Sequence, residues 1–102
     1  MSAGQIPLTI APDHPAFAGH FPGTPIVPGV VLLAEALYAI GKLMAADLSA
    51  CQISAMKFLS PVRPGEPVQV RYEMLNNGAI RFDITSDERK VAAGSIRASM
   101  RA

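Results

Sequence analysis

Proline placement constrains this chain more than any other feature. Six of the nine prolines stand at positions 7, 12, 15, 22, 25 and 28, and the other three at 61, 64 and 67. Proline has no backbone N–H and breaks the interior of helices and central strands. Long regular elements are therefore confined to two proline-free blocks, 29–60 and 68–102.

The first block opens on Pro28-Gly29 and continues Val-Val-Leu-Leu-Ala-Glu-Ala-Leu-Tyr-Ala-Ile-Gly-Lys-Leu-Met-Ala-Ala. Ala, Leu, Met, Glu and Lys favour helix, so a helix is predicted from Gly29 to about Asp47. It is apolar on nearly every side, which predicts a buried core helix. Glu35 and Lys42, two turns apart, are its only charges before the end. Gly41 in mid-helix is costly unless something packs closely there.

The rest reads as strands. Cys51 to Leu59 is one, followed by a Ser-Pro-Val-Arg-Pro-Gly turn. Val68, Val70, Tyr72 and Met74 alternate with Gln69, Arg71 and Glu73, the period of a half-buried strand. Asn76-Asn77-Gly78 predicts a hairpin turn, because Asn and Gly tolerate positive φ. Ala79 to Thr85 follows, then Ser86-Asp87-Glu88 as a turn, then a strand from Lys90 to about Met100. A short strand is expected near Ile6 to Ile10. The predicted order is strand, long loop, helix, then four strands in an antiparallel meander. One buried helix wrapped by an antiparallel sheet is an α+β arrangement, and the whole of 1–102 reads as a single domain.

Charged residues are only 17% of the chain, against 50% hydrophobic. So little polar cover on a small domain predicts an oligomer. A net charge of +1 argues against a dedicated nucleic-acid binder. Residues 1–51 sum to −2 and residues 52–102 to +3, a tilt that fits an acidic partner but that solvated strand faces explain more simply. Cys51 is the sole cysteine, so no internal disulfide forms, and no Cys/His cluster has zinc spacing. Neither a leader nor a membrane span is legible, so a cytoplasmic protein is expected. No cofactor is expected, since no glycine-rich phosphate loop, Walker motif or metal triad is present. Met44, Met56 and Met74 read as core fillers.

Chemistry concentrates in residues 13–36. His20 lies between Gly19 and Phe21-Pro22-Gly23, and Pro22, Pro25 and Pro28 stiffen the loop beyond it. A rigid loop holds an imidazole at little entropic cost, and histidine is the natural general base near neutral pH. Gly29 then opens a helix whose first amides lack intrahelical partners. Those amides, at the positive end of the helix dipole, suit a carbonyl that gains negative charge. Base and oxyanion-type site, nine residues apart, favour proton abstraction next to a carbonyl. The plainer reading is a proline-rich connector ahead of an ordinary helix.

His-Phe-Pro-Gly-x-Pro-Ile-x-Pro-Gly-Val, from His20 to Val30, resembles the signature of the β-hydroxyacyl-acyl-carrier-protein dehydratases. Lys57-Phe58-Leu59-Ser60-Pro61-Val62-Arg63-Pro64-Gly65-Glu66 is similar to that family's hairpin between two sheet strands. The resemblance covers about residues 5–100, with a front shorter than is usual. It implies a hot-dog fold, two copies paired edge to edge, and two shared active sites. It also implies dehydration of a β-hydroxyacyl thioester held on acyl carrier protein. His20 would take the α-proton and the Gly29 amide would bind the thioester oxygen. Phe21, Pro28 and Val30 would line the substrate site. An acidic residue on the partner's helix would handle the leaving hydroxyl.

The sequence departs from the family at that acid. The family's Asp or Glu falls fourteen residues after the histidine, where this chain has Ala34; Glu35 follows it. Neighbouring helix residues point about 100° apart. Either the helix start is rewound and Glu35 replaces the acid, or the site lacks its second group and Glu35 belongs to a polar face shared with Lys42. On the second reading Ala34, Gly41 and Ala45 share the face turned to the site. Asp13 and His14 are lesser candidates. Three functions compete: a dehydratase; a non-catalytic or partly catalytic hot-dog subunit pairing with a complete homologue; and an acyl thioesterase, because one fold hosts several chemistries.

Overall fold

A computed structural model describes residues 3–10, 26–48 and 51–97. Along the chain run β1 (Ala3–Thr9), α1 (Gly29–Met44), β2 (Gln52–Phe58), β3 (Pro67–Met74), β4 (Ala79–Ser86) and β5 (Arg89–Arg97). The strands form one antiparallel sheet in the order β1-β3-β4-β5-β2.

Side-chain alternation builds the core. Val68, Val70 and Tyr72 of β3 point inward beside Ile80, Phe82 and Ile84 of β4 and Ala92 and Ile96 of β5, all buried. Leu32, Ala36 and Ile40, one stripe of α1, close over them. Each large aliphatic side chain buried in this way stabilises the fold by about 1.5–3 kcal/mol. Met44, Met56 and Met74 pack at the rim of the cluster, as core fillers should. The outward face of the sheet is polar, with Glu73 opposite Arg81 in register and ion-paired at 3.0 Å.

The turns follow local chemistry. Gly78 has φ +86°, and the Asn77 side-chain oxygen accepts from the Ala79 amide at 3.0 Å. Helix α1 ends with Ala45 in the left-handed region at φ 55°. There the Ala46 amide donates to the Gly41 carbonyl at 2.8 Å and the Ala45 amide to the Lys42 carbonyl at 3.3 Å, the bond pair of a Schellman stop. Gly41 is needed for this ending, because a Cβ there would lie 2.7 Å from the Ala46 carbonyl oxygen.

Two expectations are corrected. Strand β2 is not the first strand of a meander; it pairs only with β5 and forms the far edge of the sheet. The connection from β2 to β3, read as a hairpin, is a crossing that traverses one end of the sheet. The Leu59 amide donates to the Val91 carbonyl at 2.8 Å, and the Gly65 amide to the Ile10 carbonyl at 2.7 Å. Its prolines, Pro61 and Pro64, favour an extended path over a tight turn. Helix α1, in turn, is buried on one face only. Val30 is 72% and Tyr38 67% exposed, and Ala34 and Lys42 share that outer stripe. One concave sheet can cover only one side of a helix. No helix among the described residues is long and apolar enough to cross a membrane.

The two sheet edges differ. Strand β1 carries Pro7, which cannot donate to a further strand and guards an edge. Strand β2 has no proline, and its Ile53 and Phe58 are about half exposed, at 49% and 51%.

Candidate active site at the start of the helix

The crossing loop and the segment leading into α1 meet. The Val27 amide donates to the Val62 carbonyl at 2.7 Å, and Ile26, Val27, Gly29 and Leu32 line a cleft of about 430 Å³ with residues 58–62, whereas Pro28 and Val30 do not line it. The described end of the first motif, residues 26–30, and the second motif therefore meet at the first turn of α1. Pro28 precedes the helix in an extended conformation, no side chain caps it, and its first turn carries no acidic residue. Negative charge on a ligand would meet the positive end of the helix dipole with no competing acid in the first turn. Gly29 lines the cleft, and a Cβ at this position would lie 2.9–3.2 Å from three carbons of the Phe58 ring. Any larger residue at 29 must displace that ring.

The loop is held by a polar cluster that sequence reading missed. Arg89 donates to the Ser60 hydroxyl, to the Glu66 carboxylate and, at 2.7 Å, to the Pro61 carbonyl. Ser86 donates to Glu66 at 2.6 Å, and the Arg63 amide to the same carboxylate at 3.0 Å. Two segments far apart in sequence contribute, the crossing loop and the β4–β5 turn, so the motif containing Ser60 and Glu66 shows only half of it. The Ser86 hydroxyl bond, the Arg63 amide and the Arg89 guanidinium hold the Glu66 carboxyl below its ordinary pKa. Between its lowered folded value and the ordinary unfolded value near 4.5, the unfolded chain binds more protons. The stabilisation is therefore complete above the unfolded value and is lost as pH falls through the folded one. Glu66→Gln is expected to cost about 1 kcal/mol at pH 7, with the gap from the native protein narrowing under acid. Urea unfolding at neutral and acid pH measures this; an equal gap at both would rule out the ionised carboxylate as its source.

Of the residues singled out in the sequence, His20 and Phe21 lie outside the described residues, as do Asp13 and His14. Pro28, Gly29 and Val30 form the start of α1. Ala34 and Glu35 open toward opposite edges of the sheet. Ala34 lines a cavity of about 420 Å³ with Leu37, Cys51 and Ile53, beside the β2 edge. Glu35 lines a groove with Gln5, Ile6, Leu8 and Lys42, beside β1. Gly41 does not share the outer face of Ala34, because it is buried. Burial raises the pKa of the Cys51 thiol, which keeps it protonated and a poor nucleophile at neutral pH. Among the described residues, no three His, Cys, Asp or Glu side chains gather as a metal site.

A five-stranded antiparallel sheet packed on one long helix, with its helix start facing the crossing loop, defines a hot-dog protein. Solved structures agree. The dehydratase heterocomplex ApeI:P from Xenorhabdus doucetiae superposes with a TM-score of 0.78 over 96% of this chain and 88% of that one, at 24% identity. The R-hydratase PhaJ1 from Pseudomonas aeruginosa gives 0.59 over 98% and 81%, at 17% identity. The fluoroacetyl-CoA thioesterase FlK gives 0.61 over 93% and 82%, at 15% identity. At these identities the likeness is one of fold. The ApeI-like family, described as ApeI dehydratase, matches residues 2–95, and the chain belongs to it. Among curated relatives, the 3-hydroxyacyl-acyl-carrier-protein dehydratase FabZ of Chlamydia trachomatis serovar L2 is 37% identical over 70 residues, 60% of this chain and 46% of that protein. The FabZ of Syntrophobacter fumaroxidans is 31% identical over 84 residues, 74% and 56%. The chain thus spans about half the length of the curated relatives it matches.

Proposed function

We propose that this chain is a dehydratase subunit that removes water from a 3-hydroxyacyl thioester carried on acyl carrier protein. The observation that carries the reading is the convergence of both motif segments on the uncapped start of α1, in a chain of the ApeI-like dehydratase family. His20 abstracts the proton next to the thioester carbonyl. The Gly29 amide receives the negative charge that builds on the carbonyl oxygen, a donor worth most in a site that excludes water. Pro28, Val30 and Phe21 border the bound chain.

The outer stripe of α1 and the proline-free β2 edge are where a partner hot-dog subunit would sit, burying roughly 800 Å² on each side. Ala34 faces that side and Glu35 the opposite edge. This favours a second reading, in which the chain supplies the base and a homologous subunit supplies the acid. The ApeI:P heterocomplex is a related assembly of similar fold. The test is dehydration of 3-hydroxybutanoyl-pantetheine by the protein alone and mixed with a hot-dog homologue from the same source. Slow dehydration by the protein alone and much faster dehydration in the mixture are expected. Strong activity alone would remove the need for a partner's acid. No dehydration in either would overturn the dehydratase reading.

A further inference from the structure

The cleft at the helix start contains a large apolar ring that the reaction does not require. Phe58, the last residue of β2, is 51% exposed, and its neighbour Leu59 49%. The tip of the ring abuts Gly29, so the ring cannot move inward, and it stands as a wall of the cleft. The rest of the lining is nearly all hydrocarbon: Ile26, Val27, Leu32, Pro61 and Val62. Ser60 is the one polar side chain among the described lining residues, and its hydroxyl oxygen accepts from Arg89. These side chains recognise an alkyl chain, and the polar character of the cleft is left to the backbone at the helix start. At about 430 Å³ the cleft is near the lower end of the range for small-molecule sites.

Resting on the thioester reading above, we propose that Phe58 is a specificity-determining residue that limits the length of acyl chain the cleft accepts. The ring tip abuts Gly29, so the ring cannot give way toward the helix, and a chain growing along the cleft meets it as a wall. Removing the ring extends the cleft toward the β2 edge, where further apolar surface is already exposed.

The test measures binding of saturated acyl-pantetheine thioesters of four to twelve carbons to the full chain by calorimetry. These ligands cannot be dehydrated, so the result does not depend on turnover. The native protein is expected to bind short chains and to lose affinity as the chain lengthens. In Phe58→Ala the preference between ten and four carbons should shift toward the longer chain by roughly tenfold, the equivalent of about 1.4 kcal/mol. Phe58→Leu, which retains more of the packing on Gly29, should shift it less and in the same direction, and it serves if the alanine variant fails to fold. An unchanged length profile in these variants, or no binding of any acyl thioester, would overturn the proposal. Thioester binding without dehydration of the hydroxyacyl substrate would sink the dehydratase reading and leave the role of Phe58 standing.

Discussion

Replacing His20 with alanine is expected to lower dehydration of a 3-hydroxyacyl thioester by about 10²–10⁴-fold, the range of a positioned acid–base group. Three features of the sequence set this expectation. The imidazole is the only side chain in the motif that titrates near neutrality. Pro22, Pro25 and Pro28 stiffen the stretch that joins it to the helix start. The family to which residues 2–95 belong is one of dehydratases. The loss should fall on turnover more than on KM, since proton transfer is a feature of the transition state. His14→Ala is the control and should change the rate little. Steady-state kinetics on the active assembly, with thermal unfolding to confirm an intact fold, decides the matter. A His20→Ala protein with native turnover would remove the proposed base.

The second large effect is a gain. Ala34→Asp is expected to raise the turnover of the protein on its own by about tenfold or more, part of what a positioned acid supplies, while Glu35→Gln should change it by less than about twofold. The two positions are consecutive, but about 100° of helix rotation separates them. The structure turns Ala34 to the cavity beside β2 and Glu35 to the groove beside β1. Position 34 is exposed, so a carboxylate there carries no burial penalty in the single chain. Its helix-propensity cost is only about 0.7 kcal/mol. In an assembly paired along β2, the new acid would stand on the side the partner faces. Loss of activity in Glu35→Gln with no gain in Ala34→Asp would make Glu35 the working acid and would require the helix to be rewound in the assembly.

Much of this protein is written in local sequence. Period-two alternation in residues 68–74 marks β3 to within a residue, because side chains on a strand alternate whatever lies beyond it. Asn77-Gly78 makes its turn from its own backbone freedom and side-chain oxygen. Gly29 begins α1 as expected, directly after Pro28. The motifs at 20–30 and 57–66 name the family because they are contiguous strings.

What the tertiary structure decided are facts of long range. Strand β2 lies beyond β5 and not beside β3, since pairing partners are chosen by sheet closure and no residue of β2 encodes its neighbour. The all-apolar helix looked buried throughout, yet hydrophobicity records only that a surface avoids water. Whether this chain's own sheet or another subunit covers it is a matter of geometry, and here the sheet reaches only the Leu32–Ala36–Ile40 stripe. The Arg89–Glu66–Ser86 cluster joins residues brought together only by folding. The two sides onto which Ala34 and Glu35 open were likewise invisible: helical periodicity gives the angle between them, but only the packed sheet shows which edge each one faces.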